Sequence, residues 1–264
     1  MFQVMDGLSF KVENASADML QTLHGLNIKS LNLCIKRKLK HTESLYQALS
    51  SLTQLEMLSI EVKYSSPGLW EARHCLSSNS LSMRILDVNH TESLPQSLLS
   101  LTKMETLSIS LEHDCPGLWV ALYGLSIKSL SLSGGVWGGL KVNYTESLSQ
   151  SLLSLNQMEA IIISMTYDSP GMWVALHGLN IKILRLCLRG VRRGLRVEHE
   201  ESMSQALSSL TQPETLTLYV DTYIALQVPR SLKYLNIYSN IMPDTNYGTS
   251  RADWLHVRIK LRLS

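Results

Sequence analysis

The chain has 264 residues, 45% hydrophobic and 17% charged, which is enough apolar material for a continuous core and too much for a disordered segment. Its 24 basic and 22 acidic residues leave a net charge of +2, so the balance requires neither nucleic acid nor another acidic partner. No uninterrupted apolar run approaches the ~20 residues that cross a bilayer, and with only two Phe the core falls to Leu, Ile, Val and Met.

The first stretch, MFQVMDGLSFKVEN, has no basic start followed by an apolar run, so no secretory leader is expected. The cysteines, Cys34, Cys75, Cys115 and Cys187, lack metal-ligand spacing. A reduced, cytoplasmic setting is the natural expectation.

Internal repeats dominate the rest of the chain. HTESLYQALSSLTQLEMLSI begins at His41 and HTESLPQSLLSLTKMETLSI at His90. YTESLSQSLLSLNQMEAIII begins at Tyr144 and HEESMSQALSSLTQPETLTL at His199. A second unit alternates with the first: SPGLWEARHCL from Ser66, CPGLWVALYGLSIKSLSL from Cys115 and SPGMWVALHGLNIKILRL from Ser169. MLQTLHGLNIKSLNL, near the N-terminus, is a degenerate copy.

Each half-unit ends in apolar-x-x-apolar-x-apolar. The triads are Ile28/Leu31/Leu33, Leu55/Leu58/Ile60, Met83/Leu86/Val88, Met104/Leu107/Ile109 and Ile127/Leu130/Leu132. They continue with Met158/Ile161/Ile163, Ile181/Leu184/Leu186, Pro213/Leu216/Leu218 and Leu232/Leu235/Ile237. Alternate residues of a strand point to opposite faces, so the second and third members of each triad face a core and the residues between them face away. One such strand cannot bury its leucines alone. Stacked neighbours do it, and stability becomes a sum over adjacent units.

Helices are expected between the strands. Ser44-x-x-Gln47, Ser93-x-x-Gln96, Ser147-x-x-Gln150 and Ser202-x-x-Gln205 fit a capping box, with Pro95 tolerated in the first turn. Leu45, Leu49 and Leu52 then share one face, as do Leu118, Ala121, Leu122 and Leu125. In the alternate unit Ser66, Cys115 and Ser169 precede Pro67, Pro116 and Pro170, a cap followed by proline at the first helical position. FKVEN, LKVN and LRVE, ending at Asn14, Asn143 and Glu198, read as short extra strands ahead of a helix cap.

Leu232-Lys-Tyr-Leu235-Asn-Ile237-Tyr-Ser-Asn240 fits L-x-x-L-x-L-x-x-N, and over residues 12–240 the chain resembles the leucine-rich-repeat family. The resemblance implies an α/β solenoid, a horseshoe of about nine parallel concave strands with helices on the convex side. The other eight Asn slots hold Lys36, Lys63, Thr91, Glu112, Gly135, Thr166, Arg189 and Asp221, so uneven loops are expected. Residues 1–240 form the array. Residues 241–264 are a C-terminal extension in which Leu255-His-Val257-Arg-Ile259-Lys-Leu261-Arg-Leu263 alternates as a strand with one apolar and one basic face. That strand either caps the array or is a non-native end of the gene model.

No catalytic constellation survives comparison between repeats. His41, His90 and His199 share one position and His24 and His177 another, with Tyr144 and Tyr123 as the substitutes. A metal ligand or general base would not be copied and then exchanged for Tyr. No cofactor, no metal and no enzyme activity are expected. Gly134-Gly135-Val136-Trp137-Gly138-Gly139 lacks the Lys-Ser/Thr of a phosphate loop and reads as a flexible hairpin. Trp70, Trp119 and Trp173 recur at one helix position and read as helix packing, while Trp137 lies in a loop. The basic clusters Lys36-Arg37-Lys38 with Lys40, and Arg189, Arg192, Arg193 and Arg196, read as solvated loops.

Binding is therefore the expected function. Early and middle strands offer Ser30, Asn32, Thr106, Ser108, Ser110, Ser129, Ser131 and Ser133 on the concave face, all small. Later strands offer Arg185, Thr217, Tyr219, Tyr234, Asn236 and Tyr238, and interface energy concentrates in Tyr, Trp and Arg. The competing expectation is that these tyrosines cover an open C-terminal end. The TESLSQSL phrasing is similar to the ligand-sensing arrays of intracellular NLR-type (NACHT-LRR) receptors, which implies an innate-immune role with a protein ligand or the receptor's own other domains as partner. The alternative is an extracellular glycosylated recognition or adhesion module, for which Asn14-Ala-Ser16, Asn89-His-Thr91 and Asn143-Tyr-Thr145 are sequons.

Overall fold

The computed structural model describes residues 6–12, 21–35, 42–62, 78–85, 98, 101, 103–111, 116–134, 140, 142–165, 169–188, 197–220, 227–239 and 255–260. Its strands are β1 (Leu8–Val12), β2 (Ser30–Ile35), β3 (Met57–Val62), β4 (Ser80–Ile85), β5 (Thr106–Leu111) and β6 (Ser129–Gly134). They continue as β7 (Ala160–Ser164), β8 (Ile183–Leu188), β9 (Thr215–Val220), β10 (Tyr234–Ser239) and β11 (Leu255–Lys260). All eleven lie side by side in chain order in one sheet. β1 to β10 are parallel, and β11 turns back antiparallel to β10.

The described helices are α1 (Thr42–Ser50), α2 (Pro116–Ala121), α3 (Thr145–Ser154), α4 (Pro170–Leu176) and α5 (Val197–Ser209). Each falls between two consecutive strands, the crossover that parallel pairing requires. One apolar cluster fills the space between the layers. It takes Leu31, Leu58, Leu107, Leu130, Ile161, Leu184 and Leu216 from the sheet and Leu45, Leu118, Leu148, Met172 and Met203 from the helices. The open parallel sheet with its helices is compatible with a repeat solenoid.

Register is enforced just before each strand. The carbonyl oxygen of Lys128 accepts from the N–H groups of Glu159 (2.8 Å) and Ala160 (3.0 Å). The carbonyls of Lys29, Glu56, Asn79, Glu105, Glu159, Lys182 and Glu214 each accept two N–H groups of the following unit in the same way. Few backbone donors are left over at the turn into the strand, which is where an unmatched register would leave them buried.

Several sequence expectations need correction. The parallel strands number ten rather than nine, because β1 pairs with β2 over Leu8–Val12. FKVEN thus supplies part of a full strand of the sheet rather than an accessory before a helix. LKVN forms no described strand, although Leu140 and Val142 are buried, and Val197 and Glu198 of LRVE begin α5. The third triad is shifted: Leu81 pairs with Leu58 and Met83 with Ile60, so the true slots are Ser78, Leu81 and Met83. The apolar first slot is held by Ser78, 5% exposed, with its hydroxyl 2.7 Å from the Ser80 carbonyl oxygen and 3.0 Å from that of Glu56. A serine satisfied locally hides the pattern, and reading apolar residues alone displaces the strand by five residues.

The capping boxes also fail. Ser44, Ser147 and Ser202 lie inside α1, α3 and α5, and Tyr144 occupies the N-cap position of α3 but its side chain does not cap the helix. The recurring glutamines instead donate back to the glutamates four residues earlier, Gln47 to Glu43 (3.5 Å), Gln150 to Glu146 (3.3 Å) and Gln205 to Glu201 (3.3 Å). Ser169 does precede Pro170 at the start of α4, but its buried hydroxyl accepts from the Val142 N–H at 2.9 Å rather than capping its own helix. Ser93, Ser66 and Cys115 lie outside the described residues. The helix stripes stand: Leu45, Leu49, Leu52, Leu118, Ala121, Leu122 and Leu125 are all buried. Trp119 and Trp173 are fully buried, as expected of helix packing, while Trp70 and Trp137 lie outside the described residues.

Candidate functional site

The face that the sheet turns away from its core is built by the residues between the triad positions. From β4 to β6 this face is a half-buried layer of hydroxyls: Ser80, Ser82, Thr106, Ser108, Ser110, Ser129, Ser131 and Ser133. Short side chains pack along parallel strands ~4.8 Å apart and project little. One charged pair interrupts the layer, Arg84 to Glu61 at 3.7 Å.

From β7 onward the face changes character. β8 presents Ile183, 44% exposed, and exposed Arg185. Ile183 lies in register between Ala160 and Thr215, and Arg185 between Ile162 and Thr217. Ala160, Thr215 and Thr217 are short, so the two β8 side chains project above much of their surroundings. Tyr219 stacks on Tyr238, its register partner, with ring centroids 4.4 Å apart and planes 9° from parallel. Tyr234 and Asn236 are half-buried on the same strand as Tyr238.

The expected site residues are thus brought together across β8, β9 and β10. Thr217 departs from expectation. It is 5% exposed and accepts a hydrogen bond from the Asn236 amide at 3.3 Å. It is a buried support for Asn236 rather than an exposed contact. β11 pairs with β10 from Tyr234↔Lys260 to Ser239↔Leu255, so β10 is not the free edge of the sheet. Leu235 and Ile237 nevertheless remain only partly buried, since no further helix-backed unit stacks beyond β10 among the described residues.

Sequence reasoning missed Ile183, Ile162 and Met57. Met57 is 50% exposed at the β3 position equivalent to Ser80. The signal was available in the triad spacing, which places all three on the outward side, but apolar residues invite assignment to the core.

A second feature runs along the rim where the strands begin. Lys29, Glu56, Asn79, Glu105, Lys128, Glu159, Lys182, Glu214 and Lys233 each immediately precede the register-matched start of a strand. Ion pairs join Lys29 to Glu56 (3.3 Å), Lys128 to Glu105 (2.7 Å), Lys182 to Glu159 (2.8 Å) and Lys233 to Glu214 (2.8 Å). The hydrogen bond from Lys182, with its charge, holds the Glu159 carboxyl below its ordinary value, and Lys233 does the same for Glu214. Glu105 and Glu159 raise Lys128 and Lys182 respectively, again through the hydrogen bond first and the charge second.

His24, Tyr123, Tyr144 and His177 are exposed, while His41 and His90 lie outside the described residues. The basic clusters around Lys36 and Arg192 and the eight variant Asn slots also lie outside them. Among the described residues, no group of three His, Cys, Asp or Glu side chains could hold a metal ion, and no helix is long and apolar enough to cross a membrane. No family model matches the chain, and neither a curated protein nor a solved structure matches it.

Proposed function

We propose that this chain is a leucine-rich-repeat array that binds a protein ligand through the open, concave face of β7 to β10. On this reading it is the ligand-sensing or regulatory part of an NLR-like innate immune receptor in the cytoplasm. Its partner is a protein ligand or another domain of the same receptor, and its role is binding rather than catalysis. The carrying observation is the contrast along one surface. A low hydroxyl layer on β4 to β6 gives way to projecting Ile183 and Arg185 beside the stacked Tyr219 and Tyr238. Large, stiff side chains next to an arginine supply contact area at small entropic cost. The NLR assignment rests on the repeat phrasing in the sequence.

The test is affinity capture from cells with the intact chain, followed by titration of the captured protein against Arg185→Ala, Tyr219→Ala and Ser131→Ala. The first two are expected to weaken binding by more than about tenfold and the third by less than about twofold. Equal losses in all three would place the ligand elsewhere.

One observation favours a second reading, an extracellular glycosylated recognition module. Asn143, of the sequon Asn143-Tyr144-Thr145, is exposed two residues before the start of α3. A mobility shift on glycosidase treatment of the chain recovered from its native cells, abolished by Asn143→Gln, would favour that reading.

A further inference from the structure

From β2 to β10 two guanidinium groups stand on the open face, and they are treated differently, while Arg258 of β11 lies in register with Asn236 at the far end of the sheet. Arg84 is answered by Glu61 on the adjacent strand at 3.7 Å. Arg185 has Ile162 and Thr217 as its register neighbours, and among the described residues no carboxylate or other hydrogen-bonding group pairs with it. Every lysine that precedes β2, β6, β8 or β10 also has its glutamate. An exposed, unanswered arginine beside 44% exposed Ile183 therefore differs from Arg84, the other arginine on the open face of β2 to β10, which is paired.

We infer that the β7–β9 part of this face takes an extended acidic peptide segment of a protein partner, with a carboxylate on Arg185 and a neighbouring apolar side chain on Ile162 and Ile183. This rests on the binding reading above and adds the partner's chemistry. A guanidinium binds a carboxylate through two parallel N–H···O bonds. Ile183 and Ile162 give the adjacent residue an apolar seat, and partial desolvation there strengthens the charged bond. Within β7 to β9 a polyanion such as nucleic acid would meet Arg185 alone, where phosphate recognition draws on several cations; Arg258 and Lys260 lie further along the sheet on β11, beyond β10.

The experiment selects a phage-displayed random dodecapeptide library on the intact chain. Enriched peptides are expected to carry Asp or Glu beside Leu, Ile, Val or Phe. Synthetic copies should bind at least about tenfold more weakly to Arg185→Gln and to Ile183→Ser, and unchanged to Ser131→Ala. Both altered side chains are exposed, and circular dichroism of each variant verifies the fold. Enriched peptides that need Ile183 but carry no acid, or that ignore Arg185→Gln, would overturn the inference while leaving this face as the binding site. Peptides indifferent to both substitutions would overturn both readings. Failure to enrich any acidic sequence overturns the inference alone.

Discussion

The backbone N–H of Gly124 donates to the Ser154 hydroxyl at 2.9 Å, tying the turn after α2 to the end of α3 in the next half-unit. Ser154 in turn donates to the Ser151 carbonyl oxygen at 2.6 Å. The same clamp joins Gly25 to Ser51 and Gly178 to Ser209, each at 2.9 Å. The three glycines have φ of 71°, 74° and 74°, a left-handed conformation that aims the N–H at the neighbouring helix. Ser154→Ala removes both hydrogen bonds of the hydroxyl and is expected to cost about 1–2 kcal/mol by urea denaturation. Gly124→Ala should cost about 1–2 kcal/mol, wholly through backbone strain, because nothing lies within 4 Å of the added carbon. Gly124→Asn should cost less than Gly124→Ala, and the reverse order would show that the turn is not held left-handed.

A different glycine is restricted by space. A Cβ on Gly171 would overlap the Val142 carbonyl oxygen and the Thr145 hydroxyl. One of these neighbours is backbone and cannot rotate away. Gly171→Ala is expected to destabilise the chain by about 1–3 kcal/mol, more than its single added methyl would cost at an open site. Thermal unfolding of the variant with and without Thr145→Ala tests this, since that replacement removes the hydroxyl contact but leaves the carbonyl clash in place and should rescue little.

In the middle of the sheet, Leu130 is 0% exposed between Leu107 and Ile161. Leu130→Ala should cost about 2–5 kcal/mol. Ser131→Ala, one residue along on the open face, should cost within about 0.5 kcal/mol. Chemical denaturation of the pair reads out the inward and outward assignment directly, and a loss under about 1 kcal/mol for Leu130→Ala contradicts it.

The ion-pair rim sets the pH response. Glu159 and Glu214 have carboxyls lowered below 4.5 in the folded chain, so their contribution is complete above that value and is lost as pH falls through the lower, folded value. Lys128 and Lys182 are raised above 10.5, so their contribution is complete below that value and is lost as pH rises through the folded one. Stability should therefore be flat across neutral pH and decline at both extremes. Glu159→Gln should flatten part of the acid limb, and 1 M salt should shrink both limbs because the pairs are exposed. Thermal midpoints across pH, for the wild type and Glu159→Gln, check this.

How much of the fold and of the candidate site is legible in the sequence depends on the range of each interaction. The triads Leu55/Leu58/Ile60 and Ile127/Leu130/Leu132 announce a buried strand because period-two burial is local, and repetition in register makes parallel stacking the economical outcome. The helix stripes Leu45/Leu49 and Leu118/Leu122 are readable for the same reason. The expectations that failed depended on neighbours distant in sequence. Ser78 fits a core slot because the carbonyls of Glu56 and Ser80 receive its hydroxyl. Ser169 turns from its own helix to Val142, and Thr217 is buried under Asn236. The rim of Lys and Glu was present in the sequence, but only the register of the sheet makes Lys182 the partner of Glu159, twenty-three positions away. The amino-acid sequence by itself determined which residues are apolar, how often they recur and hence that units stack. The tertiary structure decided which polar groups meet, because each such meeting depends on a register that no single unit contains.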